Sequence, residues 1–95
     1  MSDRNTILER LRDVHSFPGE YIFKVIGENS DVFVTRVVQA TINVLGSGAQ
    51  PDISTRESSG GKHLSVTLTV NVDTAEAILD VYEVIQQIDG VRFLL

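Results

Sequence analysis

The order of helical and extended patterns along this chain predicts an α+β domain, a split β-α-β sandwich of order βαββαβ preceded by one extra helix. Three observations predict it. Residues 62–72 alternate strictly, with Leu64, Val66, Leu68, Val70 and Val72 set against His63, Ser65, Thr67, Thr69 and Asn71. That period of two is the mark of a long, half-buried strand. Two other segments carry apolar residues at three- and four-residue intervals, one after the first strand and one after the long strand. Finally, a Gly-rich stretch at 58–61 joins two neighbouring extended segments as a hairpin. Two β-α-β halves with right-handed crossovers then make the ferredoxin-like sandwich the economical solution. In it the first and third strands are central, the second and fourth are edges, and both helices cover one face.

Each element follows from its own residues. Residues 3–14 place Ile7, Leu8, Leu11 and Val14 on one stripe of a short helix, which needs a surface to lie on. The division expected is a helical extension over 1–15 and the sandwich domain over 16–95. Phe17, Pro18 and Gly19 end the extension, because proline lacks a donor and biases the residue before it towards extended geometry. Residues 21–26 form the first strand, apolar on both faces except at Lys24, as suits a central strand. Asn29 or Ser30 caps the next helix, in which Phe33, Val34, Val37, Val38, Thr41 and Leu45 recur at helical spacing. That segment is rich in β-branched residues, and the 3.6 period outweighs its weak propensity. Residues 46–51 connect it to a polar edge strand at 52–57. After the long strand, Asp73 is the expected cap of the last helix, with Glu76 completing a capping-box pattern. Ala75, Ile78, Leu79, Tyr82, Ile85 and Ile88 form its apolar side, and Glu76, Asp80 and Glu83 read as a solvated side. Residues 91–95 are the final strand. Val66, Leu68 and Val70 are expected to meet Phe23 and Val25 beneath Val34, Val38, Ile78 and Tyr82.

Composition bounds the function. Ninety-five residues make one domain able to bury a single core. Apolar residues at 42% and charged residues at 22% fit a soluble globular chain rather than a disordered one. The absence of cysteine excludes disulfides, thiolate nucleophiles and cysteine-ligated metals, and is compatible with a reducing cytoplasm. No apolar run approaches the ~20 residues of a membrane span, and no signal-peptide core is present, so no membrane partner is expected. Eight basic against 13 acidic residues give a formal charge of −5, a field that repels phosphate backbones; no nucleic-acid partner is expected.

The chemistry-bearing motifs are sparse. Gly46-Ser47-Gly48 follows a helix rather than a strand and has no lysine partner, so it is a connection rather than a phosphate loop. His15 and His63 are the two histidines, too few without a carboxylate cluster for a metal site, and neither metal nor cofactor is expected. His63 and Ser65 share a strand face, but no third group is placed to orient the base. The same fold class hosts copper carriers, RNA readers and acyl-phosphate hydrolases. The first need a Cys-x-x-Cys loop, the second exposed aromatics on the central strands with a basic surround. The third need an arginine cradle where residues 27–31 instead present Glu28 and Asp31.

Phe17-Pro18, then residues 23–27, then residues 61–67, then residues 91–95 together resemble the YbeD-like family of small uncharacterised bacterial proteins. The likeness runs from about Ser16 to Leu95. It implies a cytoplasmic bacterial protein whose βαββαβ fold is similar to ACT-type regulatory domains, and it supplies no catalytic residues. His63 stands where that family commonly has an aromatic. By analogy with ACT-type domains, Gly27 and Ser30, at the turn between first strand and first main helix, are the ligand-loop positions. Homo-oligomerisation through edge strands or helices is the arrangement the same analogy implies.

Two functions follow as expectations. The first is a non-catalytic regulatory or adaptor domain that binds a protein partner or small metabolite. Its binding face is the one the helices leave free, with Lys24, Ser65, Thr67 and Thr69 beside Ile22, Ile26 and Asn71. The amino-terminal helix is a candidate to cover part of that face. The second is a small hydrolase or transferase using His63 with Ser65 or Lys24.

Overall fold

A computed structural model describes residues 3–95; the first two residues of the extension expected over 1–15 lie outside the described residues. The elements are α1 (Arg4–Val14), β1 (Gly19–Glu28), α2 (Asp31–Leu45), β2 (Asp52–Glu57), β3 (His63–Val72), α3 (Ala75–Gln86) and β4 (Val91–Leu94). The four strands form one antiparallel sheet of order β2-β3-β1-β4. This is the ferredoxin-like α+β arrangement that the sequence predicts, with the extra helix at its amino end. β1 and β3 are central and pair over ten consecutive positions, from Gly19 opposite Val72 to Glu28 opposite His63.

The core lies between that sheet and the α2–α3 layer. Phe23 and Val25 of β1 and Leu64, Val66, Leu68, Val70 and Val72 of β3 are buried on the helix side. From above they meet Phe33 and Val37 of α2 and Ile78, Val81 and Ile85 of α3. The expected roof was off by one position on α2: Val34 and Val38 flank the core, while Phe33, Val37 and Thr41 enter it. The spacing i, i+4, i+8 puts those three on one stripe. Thr41 is buried without a stranded hydroxyl, because its Oγ1 donates to the Val37 carbonyl oxygen at 2.9 Å. Val81 also enters the core, whereas Tyr82 is only half-buried; its hydroxyl stands 3.0 Å from that of Tyr21.

The caps decide where helices begin. Ser30 caps α2, its Oγ accepting from the Phe33 N–H at 3.1 Å. For α3 the expectation of Asp73 is corrected by one residue. Thr74 is the cap, its Oγ1 accepting from the Ala77 N–H at 3.2 Å, and Glu76 therefore falls inside the first turn. The connection after α2 holds a short 3-10 turn at Ser47–Ala49 that buries Ala49.

The extra helix does not cover the free face of the sheet. α1 packs on α3, burying Leu8, and two ion pairs hold it there. Arg4 reaches Asp80 at 3.1 Å and Arg12 reaches Glu76 at 2.6 Å. Two of the three acidic residues read as solvated, Glu76 and Asp80, are thus engaged by α1. Glu76 sits at the start of a helix, and its carboxyl is held below the usual carboxylate range. The larger cause is hydrogen bonding to its own backbone N–H, and the next is the Arg12 guanidinium.

Two outcomes check this packing. Leu68→Ala should lower stability by about 2–4 kcal/mol in urea unfolding, because a fully enclosed side chain leaves a cavity, while Thr67→Ala on the opposite face should change it little. Since the Glu76 pKa is depressed in the folded chain, its contribution is present above the unfolded pKa and is lost as pH falls through the folded value. In carboxyl-detected NMR titration, Arg12→Ala should raise the Glu76 pKa yet leave it below the ordinary value, as the backbone bond remains.

Candidate functional site

Antiparallel pairing places directly opposed residues on the same side of a sheet, so the register alone lays out the helix-free face. Asp52, Thr69 and Ile22 form one row. Ser54, Thr67, Lys24 and Leu95 form the next, where Lys24 and Leu95 exchange backbone bonds at 3.4 and 2.8 Å. Arg56, Ser65, Ile26 and Phe93 form the third. His63 lies beyond them, opposite Glu28.

The sequence-predicted residues Lys24, Ser65, Thr67 and Thr69 therefore share one face. Lys24 stands opposite Thr67 and between Ile22 and Ile26 along its own strand. Apolar side chains surround it in the open: Ile22 is 60% exposed, Phe93 65% and Leu95 63%. Arg56 lies across Ser65 from Ile26, so the two cations stand on either side of the hydroxyl ladder of β3. Among the described residues neither cation is within salt-bridge distance of a carboxylate; the ion pairs found are those of Arg4 and Arg12. A shallow depression of about 210 Å³ has Lys24, Arg56, Glu57, His63 and Ser65 in its lining, and a second of about 410 Å³ borders Ile22 and Thr69.

Sequence reasoning missed the contribution of β4, for a physical reason. Val91 opposes Gly27 and Leu94 opposes Val25, both core-side positions, although 91 and 94 differ in parity. An irregularity in the ladder at Ile26 and Gly27 supplies the extra residue, and it turns Phe93 to the open face beside Ile26. A strict period of two would have put Phe93 on the same side as Val91. Arg56 was within reach of the sequence, since the hairpin register from the 58–61 turn carries it opposite Ser65.

Gly27 and Ser30 lie apart from that face, and both have structural roles. A side chain at Gly27 would strike the Phe33 ring and the Gly90 carbonyl, so the close approach of β1, α2 and the turn before β4 requires glycine here. Ser30 spends its hydroxyl on the α2 cap. His15 caps the end of α1, and its ring lies edge-on to Tyr21, with centroids 5.0 Å apart. His63 and Ser65 occupy successive same-face positions of β3, a strand spacing of about 6.6–6.8 Å; the His63 backbone N–H donates to Ser58 Oγ at 3.0 Å. Tyr82 lies on the helix side of the sheet. Burial, with the Tyr21 hydroxyl second, pushes its pKa well above the ordinary tyrosine value.

Fold and face together define the class: a ferredoxin-like α+β domain with one bare sheet face. The family model for DUF493, proteins of unknown function, matches residues 12–95, and the chain belongs to that family. The match begins within α1 rather than at Ser16, so the last turn of the extra helix is part of the shared region. A UPF0250 protein from Shewanella piezotolerans (strain WP3 / JCM 13877) is 36% identical over 83 residues, covering 87% of this chain and 92% of the relative. A UPF0250 protein from Klebsiella pneumoniae (strain 342) is 30% identical over 86 residues, covering 90% and 97%. The UPF0250 protein YbeD of Escherichia coli O9:H4 (strain HS) is 29% identical over 86 residues, with the same coverage. The expected YbeD-like kinship is thereby established. No helix among the described residues is long and apolar enough to cross a membrane.

Gly27→Ala should destabilise the fold by about 1–3 kcal/mol, the range for forcing extra volume into a packed site. Thermal unfolding followed by circular dichroism checks it, with Gly48→Ala, where a side chain meets open space, as the neutral comparison.

Proposed function

We propose that this chain is a non-catalytic adaptor domain of the cytoplasm that binds a protein partner on the helix-free face of its sheet. The observation that carries this is the exposed cluster of Ile22, Phe93 and Leu95 around Lys24, contiguous with Ser65, Thr67 and Thr69. Large apolar groups rimmed by polar ones are what a protein interface leaves bare when its partner is absent. A protein is favoured over a metabolite because the exposed apolar groups are spread over three rows of the sheet face, Ile22 in one, Leu95 in the next and Phe93 in the third, rather than gathered into one enclosed pocket. Lys24 and Arg56 are then the charged contacts that orient a partner carrying carboxylates, with the aliphatic and aromatic groups supplying the buried area.

The test is quantitative affinity capture from a native bacterial lysate, comparing the wild-type chain with Ile22→Asp/Phe93→Asp and with Lys24→Glu. Both substitutions fall on exposed positions and should leave the thermal midpoint nearly unchanged. A specific partner retained by wild type should be lost with the double variant and reduced with Lys24→Glu. A partner retained equally by all three would overturn the assignment to this face. Amide shifts confined to residues 27–31 on titrating free amino acids would favour the metabolite form instead.

A further inference from the structure

The open face of the sheet is divided lengthwise. Its β1–β4 half carries an apolar band of Ile22, Phe93 and Leu95, all exposed, with Ile26 half-buried among them. Its β3–β2 half carries the hydroxyls of Ser65, Thr67, Thr69 and Ser54, which need no cover. Every second residue of β1 faces this side, in the order Glu20, Ile22, Lys24, Ile26 and Glu28. Charge along the strand thus runs negative, positive, negative, with an isoleucine in each gap. Among the described residues none of these three charged side chains has an ion-pair partner. Asp52 and Arg56 belong to β2, two strands away at ~5 Å per strand, so they border the band rather than lie in it.

The band also selects the secondary structure of what covers it. β1 is paired with β3 on one side and β4 on the other, so contact along most of it is made by side chains rather than by strand addition. The apolar half is two strands wide, and a helix of ~10 Å diameter covers two strands set ~5 Å apart. A second sheet would cover the hydroxyl half as well. The other face of the same sheet is closed in this way, by α2 and α3. The lengths agree too. Ile22 and Ile26 stand ~13–14 Å apart along the strand, the rise of about nine helical residues. From Glu20 to Glu28 is ~27 Å, or about 18 residues of helix.

We propose that the partner presents an amphipathic α-helix along β1, its apolar side on Ile22, Ile26, Phe93 and Leu95, with carboxylates at its middle for Lys24 and cations near its ends for Glu20 and Glu28. This rests on the adaptor reading of the face, and it adds the shape and charge order of the segment that binds there. The charges select as well as attract. An apolar helix without a central carboxylate would cover Lys24 unpaired, and one with cations there would meet it with like charge. Because the order matters and not the sum, the net charge of −5 does not make any basic helix a ligand.

Two synthetic peptides of about 18 residues, the length that spans β1, test it against the full chain. They share one composition and one leucine face, and each is held helical by a staple on its outward side. The first has Glu in its central turns and Lys in its end turns; the second has these reversed. Calorimetric titration should find the first bound about tenfold or more tighter than the second. Amide shifts should centre on residues 22–26 and 93–95. The chain with Glu20→Lys, Lys24→Glu and Glu28→Lys together, all at exposed positions, should keep its thermal midpoint and prefer the second peptide. The proposal is overturned if the first peptide shows no saturable binding into the millimolar range, if the two bind equally, or if the shifts fall elsewhere. Equal binding of an unstapled, proline-interrupted peptide of the same composition overturns the helix. Concentration-dependent shifts of the same amides without peptide would give the band to a second copy, and overturn it too. A lysate partner that needs Ile22 and Phe93 while neither peptide binds would leave the adaptor reading standing and remove this one.

Discussion

The ten-position register between β1 and β3 is the constraint on which the rest of the structure depends. It sets the phase of both central strands, so Phe23 and Val25 meet Val66 and Leu68 on the side that the helices close. Because the side-chain period is two, a slip of one residue would carry that whole apolar set to solvent. The outer strands inherit the phase: β2 through its hairpin with β3, and β4 through its bonds to Lys24 and Ile26. The same register lays out the opposite face, so core and candidate recognition surface are two consequences of one pairing.

Much of this was legible in the sequence because period and parity are local. The alternation of 62–72 announces β3, and the stripe of Phe33, Val37 and Thr41 announces α2 despite its β-branched composition. The grouping of Lys24 with Ser65, Thr67 and Thr69 follows from the same parity. What escaped were features set by one-residue choices. Thr74 rather than Asp73 caps α3, since either side chain could reach a free N–H and only the path of the chain decides. Phe93 joined the open face through the irregular ladder at Ile26 and Gly27, which no alternation pattern in 91–95 foretells.

Charge is distributed in two ways within an acidic chain. Arg4 and Arg12 neutralise Asp80 and Glu76 and hold α1 against α3, outside the sheet. Both pairs are half-exposed, so they orient α1 more than they stabilise it, and the burial of Leu8 does the rest. Lys24 and Arg56 instead remain on the sheet face without a carboxylate partner among the described residues, where a cation serves recognition better than stability.

The sequence by itself determined the class of fold, the order of elements, the central place of β1 and β3, and the kinship to a family of small bacterial proteins. Those rest on periodicity and turn chemistry, which act between near neighbours. Only the tertiary structure decided where α1 docks, which side chains complete the open face, and which residue caps α3. Those rest on strand register and on ion pairs between residues more than 60 positions apart. Contacts of that range leave no periodic trace in the chain, because their geometry exists only once the sheet has formed.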